Sequence, residues 1–588
     1  MKKVLYIIIG LVLFTGCDDD FAEINTNPDI GVPPPETFFT YVQKEMVTYK
    51  NGGEWYHENH QKMTWAQYLV QGKANDSDIN TILPGSKYSS FYVKILNHLT
   101  EMRLQISELS DEEQKFYQKM VAASDVMQAF FALRVTDQYG DIPYSEAAIG
   151  RREGKLDPNY DKQEAVLNQL LDELDAAIAK MDENIDSNYD FSSNDIVYQG
   201  DVTKWIKCAN AVKLRIATRL LSQNESKASE IINSVVSDGR LFESEDDQFT
   251  FDLGGTYRGA PGAGFEWKGV MWAAEPMVEF MKTTADPRLR IFYEPNGYTQ
   301  ETIDAFADPS EISPAVDIDN DNEVLYTTAD GEDILGYRFI GLPAYRNNPN
   351  IGVPDYYLYA DQPNTVGSNA TMLSKYNRRL LQECNFRYGG LPQPEGNYVD
   401  VMISYSEVCL MMSEFILKGY ISGDASDWYR KGMESSLRTY NMLGEKQDLI
   451  MRVANKEYPY LPISEDEITN YLDNSSLALN GTDDLEKVYI QQFLNFYRLP
   501  EEGWILSMRT GYPQYGSSLL ARSATDDPEI PFPRRIPSPE PGDLNVAKWL
   551  QANEDQGFTS PRDETPSVLN SQRLWWDQNN PTIGSGGN

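Results

Sequence analysis

The 588-residue chain sets 89 Asp and Glu against 51 Lys and Arg, a formal net charge of −38, and carries only 3 His. So acidic a balance repels phosphate backbones and excludes a general nucleic-acid binder, while the length is ample for a large buried core. Its 36 Tyr, 23 Phe and 10 Trp suit sugar rings and helix-packed cores equally well, so composition alone does not separate those uses.

Residues 1–16 read as a secretory signal: Lys2 and Lys3, an apolar run from Val4 to Phe14, then small residues ahead of Cys17. That run is too short to span a bilayer, and no later segment is apolar over 18 residues. Thr15, Gly16 and Cys17 resemble a bacterial lipobox, with Phe14 where Leu is commonest, so Cys17 is the expected lipidation site and more than one acyl chain would give stable membrane anchoring. Ordinary cleavage, with Cys17 discarded or left as a free thiol, is the alternative. Asp18, Asp19 and Asp20 resemble the surface-export signal of Bacteroidetes lipoproteins. Residues 17–36, with four prolines and no periodicity, read as a lipidated tether.

Helical spacing then dominates. Phe116, Met120, Ala123, Met127, Phe130, Phe131 and Val135 define one long helix, Leu167 to Met181 a second, Trp205 to Leu220 a third. Val408 to Phe415 and Tyr429 to Leu437 add two more, separated by Gly419 and Gly423. In YGDIPYSEA (139–147), Gly140 and Pro143 predict a sharp helix stop near Tyr139. Lys204, Lys207, Lys213, Arg215 and Arg219 share a helix with an apolar stripe; in so acidic a chain they are expected to pair with carboxylates, partner docking being the minor alternative. Between about 248 and 400 the texture turns to clustered glycines, prolines and aromatics, a loop-rich lobe of the kind that carries binding residues.

Catalytic and metal motifs are scarce. His57 and His60, with Glu54 and Glu58, could supply metal ligands at i and i+3, but no third ligand is identifiable. Asp317, Asp319, Asp321 and Glu323 have the alternating oxygen spacing of a calcium loop, but Asn322 and Thr328 stand where an EF-hand needs Gly and Glu, so a solvated acidic turn is the competing reading. With 89 acids, close carboxylate pairs arise by chance and carry no signal for a glycosidase. No G-x-S-x-G elbow and no phosphate-cradling loop occurs. Cys208 and Cys409 fall in helical apolar patterns and read as small core hydrophobes; with Cys384 they leave one possible bridge open.

Several separated stretches resemble the SusD/RagB family: INTNPD (24–29), YGDIPYSEA (139–147), GDVTKWIKCANAVKLRIATR (200–219), DPRL (286–289), ISYSEVCLMMSEFILKGY (403–420), SMRTGYPQY (507–515), PRRIPSPE (533–540) and RLWWD (573–577). The chain departs from the family's alanine-rich AEA around Met412–Phe415 and from RIPYP at Ser538. The resemblance implies a mainly α fold with tetratricopeptide-like helix pairs and little β. Residues 37–588 would form one body: a helical scaffold over about 37–247 and 401–520, a binding lobe over about 248–400 and an irregular C-terminal segment over about 521–588.

It further implies a non-catalytic, surface-exposed lipoprotein of the outer membrane. Such a protein captures glycan and hands it to a SusC-like TonB-dependent transporter; a peptide-binding subunit is the alternative and a surface glycoside hydrolase a remote one. No cofactor is implied, calcium apart. Loop context, not the family, selects Trp55, Tyr56, Trp267, Trp272, Tyr356 and Tyr357 as ligand-binding candidates, with core packing the alternative for each.

Overall fold

In the computed structural model, residues 33–45, 60–71, 86–185, 187–254, 271–296, 339–342, 374–381, 397–453, 456–523 and 531–587 are described. The first half is a stack of helices: α1 (Pro35–Glu45), α2 (His60–Ala66), α3 (Asn97–Ser107), α4 (Asp111–Tyr139), α5 (Gln163–Asp182), α6 (Val202–Leu220) and α7 (Glu225–Asp238). Neighbours in sequence pack as pairs, α4 against α5 and α6 against α7, with α5 and α4 both lying on α6. The second half continues with α8 (Glu275–Thr283), α9 (Tyr405–Leu417), α10 (Ala425–Lys446), α11 (Glu465–Leu472), α12 (Asp484–Asn495) and α13 (Pro500–Thr510), in which α9 packs on α10 and α12. The mainly helical fold expected from the sequence is the fold observed.

Local sequence explains the helix limits. Ser110 and Glu113 form a capping box that opens α4, the Ser110 amide donating to Glu113 Oε2 at 3.0 Å. The same helix stops where predicted: Gly140 takes φ +79°, and a Cβ there would lie 2.1 Å from Gln556 Oε1 and 2.8 Å from Leu574 Cδ2. Asp201 caps α6 by accepting from the amides of Thr203 and Lys204 at 2.9 and 3.1 Å. α4 and α6 are buried on nearly every face in their inner turns, as central helices of a large α core must be.

Strands are short. A four-stranded sheet has the order β1 (Leu69–Gln71), β3 (Met271–Ala273), β5 (Lys375–Tyr376), β4 (Tyr293–Glu294), all antiparallel. β2 (Phe249–Asp252) pairs antiparallel with β6 (Val399–Ile403), bringing the two ends of the 248–400 stretch together on the helical scaffold. β7 (Ile450–Val453) pairs with β8 (Lys456–Pro459), and β9 (Gln514–Tyr515) runs parallel to β10 (Ala521–Arg522). The C-terminal stretch contains α14 (Val546–Asp555) and α15 (Pro566–Ser571) and returns across the first helices. No helix among the described residues is long and apolar enough to cross a membrane.

Candidate functional site

The side chains of the sequence motifs converge on the interior. Arg215 of α6 donates to both oxygens of Glu407 at 2.7 Å, and Arg219 reaches Asp137 at 3.0 Å and Glu502 at 2.6 Å. Next to Glu502, Glu501 pairs with Arg134 and with Lys87 at 3.1 Å. Lys207 pairs with Glu243 and Asp247, and Lys213 with Asp175. Four of the five basic residues of α6 therefore pair with acids, as expected, Arg215 and Arg219 as internal clamps, whereas Lys204 donates to the Asp246 carbonyl at 2.8 Å. Arg215 and Arg219 join α4, α9 and α13, elements more than 350 residues apart at the extremes.

Other motifs act in the same way. Arg288 of DPRL is fully buried against Asp286, Ser436, Tyr471 and Gln491. Glu414 pairs with Arg509 of SMRTGYPQY at 2.5 Å. Arg534 of PRRIPSPE pairs with Asp577 of RLWWD at 2.5 Å, and the Trp576 indole donates to the Asp137 carbonyl at 3.0 Å. Ser538, the departure from the family pattern, accepts from the Trp549 indole at 2.8 Å.

Burial pushes Asp137 up to about 6 against the pull of Arg219, whose shorter contact goes to Glu502 and leaves one Asp137 oxygen unpaired. Burial likewise raises Asp141 to about 6, although it accepts from the Gln163 amide at 2.8 Å. Burial also opposes ionisation of Glu501, but Lys87 and Arg134 outweigh it and hold the carboxyl well below its usual range. Glu414 and Glu502 are held down in the same manner by Arg509 and by Arg215 and Arg219.

The sign is opposite for the two groups. Asp137 and Asp141 keep protons in the folded state that the unfolded chain has released, so their contribution grows as pH falls from neutral through about 6. Glu414, Glu501 and Glu502 lose theirs only below the ordinary carboxylate range. The protein is expected to gain roughly 1–2 kcal/mol between about pH 7.5 and pH 5, and Asp137→Asn to flatten that slope. Urea unfolding across this range checks it; a steady loss of stability on acidification down to pH 5 contradicts it.

The candidate ligand residues concentrate elsewhere in the chain, at sequence positions ahead of the strands of the four-stranded sheet. Trp55 and Tyr56 precede α2 and β1, Trp267 precedes β3, and Tyr356 and Tyr357 precede β5; these five lie outside the described residues. Trp272 is on β3 itself and is only 1 % exposed, with Lys375 Nζ 5.2 Å from its ring centre. Of the two readings of Trp272, ligand contact and core packing, the structure shows core packing, the covered strand turning its indole inward. The feet of the segments are stitched together: Ala273 donates to Ser374 O at 2.8 Å, Leu342 to Ala273 O at 2.8 Å and Ser374 to Ile340 O at 2.8 Å. Tyr293 donates to Tyr68 O at 2.9 Å, and Tyr68 to Phe493 O at 2.6 Å, which ties the sheet to α12. The four-stranded sheet is thus hydrogen-bonded to the helical scaffold behind it.

Asp317, Asp319, Asp321 and Glu323, His57, Glu54, Glu58, Cys17 and Cys384 lie outside the described residues, as does the side chain of His60 at the start of α2. Among the described residues no group of three His, Cys, Asp or Glu is disposed to hold a metal. Cys208 and Cys409 are buried free thiols, as their helical positions indicated. Tyr515, which closes SMRTGYPQY, and Tyr41, which no sequence pattern had singled out, are exposed aromatic rings at 44 % and 37 %.

A family model described as "Starch-binding associating with outer membrane", the SusD-like family, matches residues 27–330 and 354–539. The chain belongs to the SusD-like family. Its fold is shared by a chitin-binding protein at 20 % identity and TM-score 0.64, covering 93 % of this chain and 100 % of that one. A SusD homologue from Bacteroides fragilis matches at 18 % identity and TM-score 0.63, with 93 % and 100 % covered. A chitin-binding SusD homologue from Flavobacterium johnsoniae matches at 17 % and 0.60, with 93 % and 99 % covered. Among curated proteins no match was found. SusD-like membership fits the geometry above: side chains of the motifs that carry the resemblance, among them Arg215, Arg219, Arg288, Arg509 and Arg534, form buried clamps of the scaffold.

Proposed function

We propose that this SusD-like protein is a non-catalytic glycan-binding lipoprotein, anchored through Cys17 at the outer face of the outer membrane, that delivers captured oligosaccharide to a SusC-like TonB-dependent transporter. The observation that carries the reading is the match of a starch-binding, outer-membrane-associated family over most of the chain. Two of the similar structures are described as chitin-binding, which favours carbohydrate as the ligand class. The motif-borne carboxylates support a binding role over hydrolysis: Glu407, Glu414, Glu501 and Glu502 are buried in arginine clamps, out of reach of a polymer.

Aromatic rings would supply the stacking faces, with Trp55, Tyr56, Trp267, Tyr356 and Tyr357 the residues to test. Calorimetric titration of protein lacking residues 1–17 against starch, chitin oligosaccharides and protein-derived peptides, run in parallel, tests the ligand class. Saturable glycan binding that one of these aromatic-to-Ala changes weakens by about tenfold or more is expected. Binding to peptides alone, indifferent to every aromatic change, would replace glycan by peptide.

A further inference from the structure

Arg215, Arg219, Arg288, Arg509 and Arg534 each hold a carboxylate at 3.0 Å or less. Arg535 lacks an acid but is satisfied by neutral acceptors, donating to Gln572 O at 3.1 Å and Gln572 Oε1 at 2.7 Å. Arg522 has no acid partner. It is 3 % exposed, its Nη2 donates to the Trp65 carbonyl, the Tyr515 hydroxyl is near enough to favour its charge, and its Nε and Nη1, both buried, meet no acceptor in hydrogen-bond geometry among the described residues. Phe532 covers one face of the guanidinium, 4.8 Å from ring centre to Cζ.

A guanidinium cannot shed its proton to escape this situation. A water could satisfy the two N–H groups but would leave the charge uncompensated, and an uncompensated buried charge costs several kcal/mol. Burial accordingly pushes Arg522 down, whereas at Arg288 and Arg215 Asp286 and Glu407 overcome burial and move the group up. A second buried donor lies on the residue whose carbonyl Arg522 holds: Trp65 is wholly buried and its Nε1 also has no acceptor. Tyr515, in register with Arg522 across the β9–β10 pair, is 44 % exposed, so the nearest polar neighbour of the guanidinium borders solvent.

We propose that Arg522 forms the heart of an anion site that takes a small monovalent anion, a halide or a carboxylate group, through its Nε and Nη1. The site lies in the scaffold between α2 and β10 and is independent of the glycan reading. Thermal unfolding of the protein in chloride, in acetate and in a bulky sulfonate salt at equal ionic strength tests it. The midpoint is expected to rise saturably with chloride or acetate and not with sulfonate, a response to acetate beyond that to chloride marking a carboxylate as the preferred ligand. Arg522→Met is expected to remove the dependence and to be at least as stable as the parent in sulfonate, since the lone charge is gone. Should Arg522→Met fail to fold, crystals grown in bromide serve instead, with an anomalous peak expected against Arg522 Nε and Nη1. Equal responses of parent and Arg522→Met to chloride, or a bromide-grown crystal with no peak at Arg522, would overturn the proposal.

Discussion

Glu502→Gln is expected to lower the free energy of unfolding by about 3–5 kcal/mol, the cost of removing one partner from a buried ion pair. Glu502 accepts from Arg219 at 2.6 Å and lies 3.5 Å from Arg215, so it is the acid shared by both arginines of α6. Its loss leaves Arg219 dependent on Asp137, an acid that burial already pushes up to about 6. The side chain keeps its volume, so packing is not the cause. Urea unfolding measures the change, and a loss below about 1 kcal/mol would mean that the pair is not desolvated as described. Replacing Arg219 by Met in the same background should recover part of the loss, because the uncompensated charge is then removed with its partner.

Trp576→Ala is expected to cost a further distinct amount, about 3–5 kcal/mol, through lost packing. Trp576 is fully buried, its indole donates to Asp137 O and its amide donates to Gln163 Oε1 at 3.1 Å. It therefore pins the C-terminal stretch to the end of α4 and the start of α5, next to the Arg534–Asp577 pair. Limited proteolysis should release a C-terminal fragment from the variant under conditions in which the parent is intact. Resistance equal to the parent would show that the stretch is held without this anchor.

The helices could be read from the chain because their apolar spacing is regular and their ends carry chemical punctuation. Asp111–Tyr139 contains the predicted Phe116–Val135 pattern, and Gly140 ends it with the positive φ that its place in YGDIP implied. The pairing of Lys207, Lys213, Arg215 and Arg219 with acids was likewise legible, since a basic stripe on a buried helix in an acidic chain has few other fates. Which acids they meet was not: Glu407 and Glu502 come from sequence positions 192 and 283 residues away from their partners, and no local pattern encodes such contacts. The two helices within 531–587 were missed because the many prolines and short apolar runs there mask a structure that tertiary packing, not periodicity, maintains. For Trp272 the chain left ligand contact and core packing both open, since its glycine-rich flanks suit a loop while three residues of strand suffice to turn an indole inward.

Capture without turnover is what separates a binding protein from a hydrolase. Protein lacking residues 1–17 would be mixed with a starch or chitin oligosaccharide series, with bound ligand and newly formed reducing ends measured in the same sample over hours. Saturable binding with no growth of reducing ends is the predicted result, whereas steady release of shorter sugars, abolished by changing one exposed carboxylate, would contradict it and make the protein a hydrolase built on a binding fold.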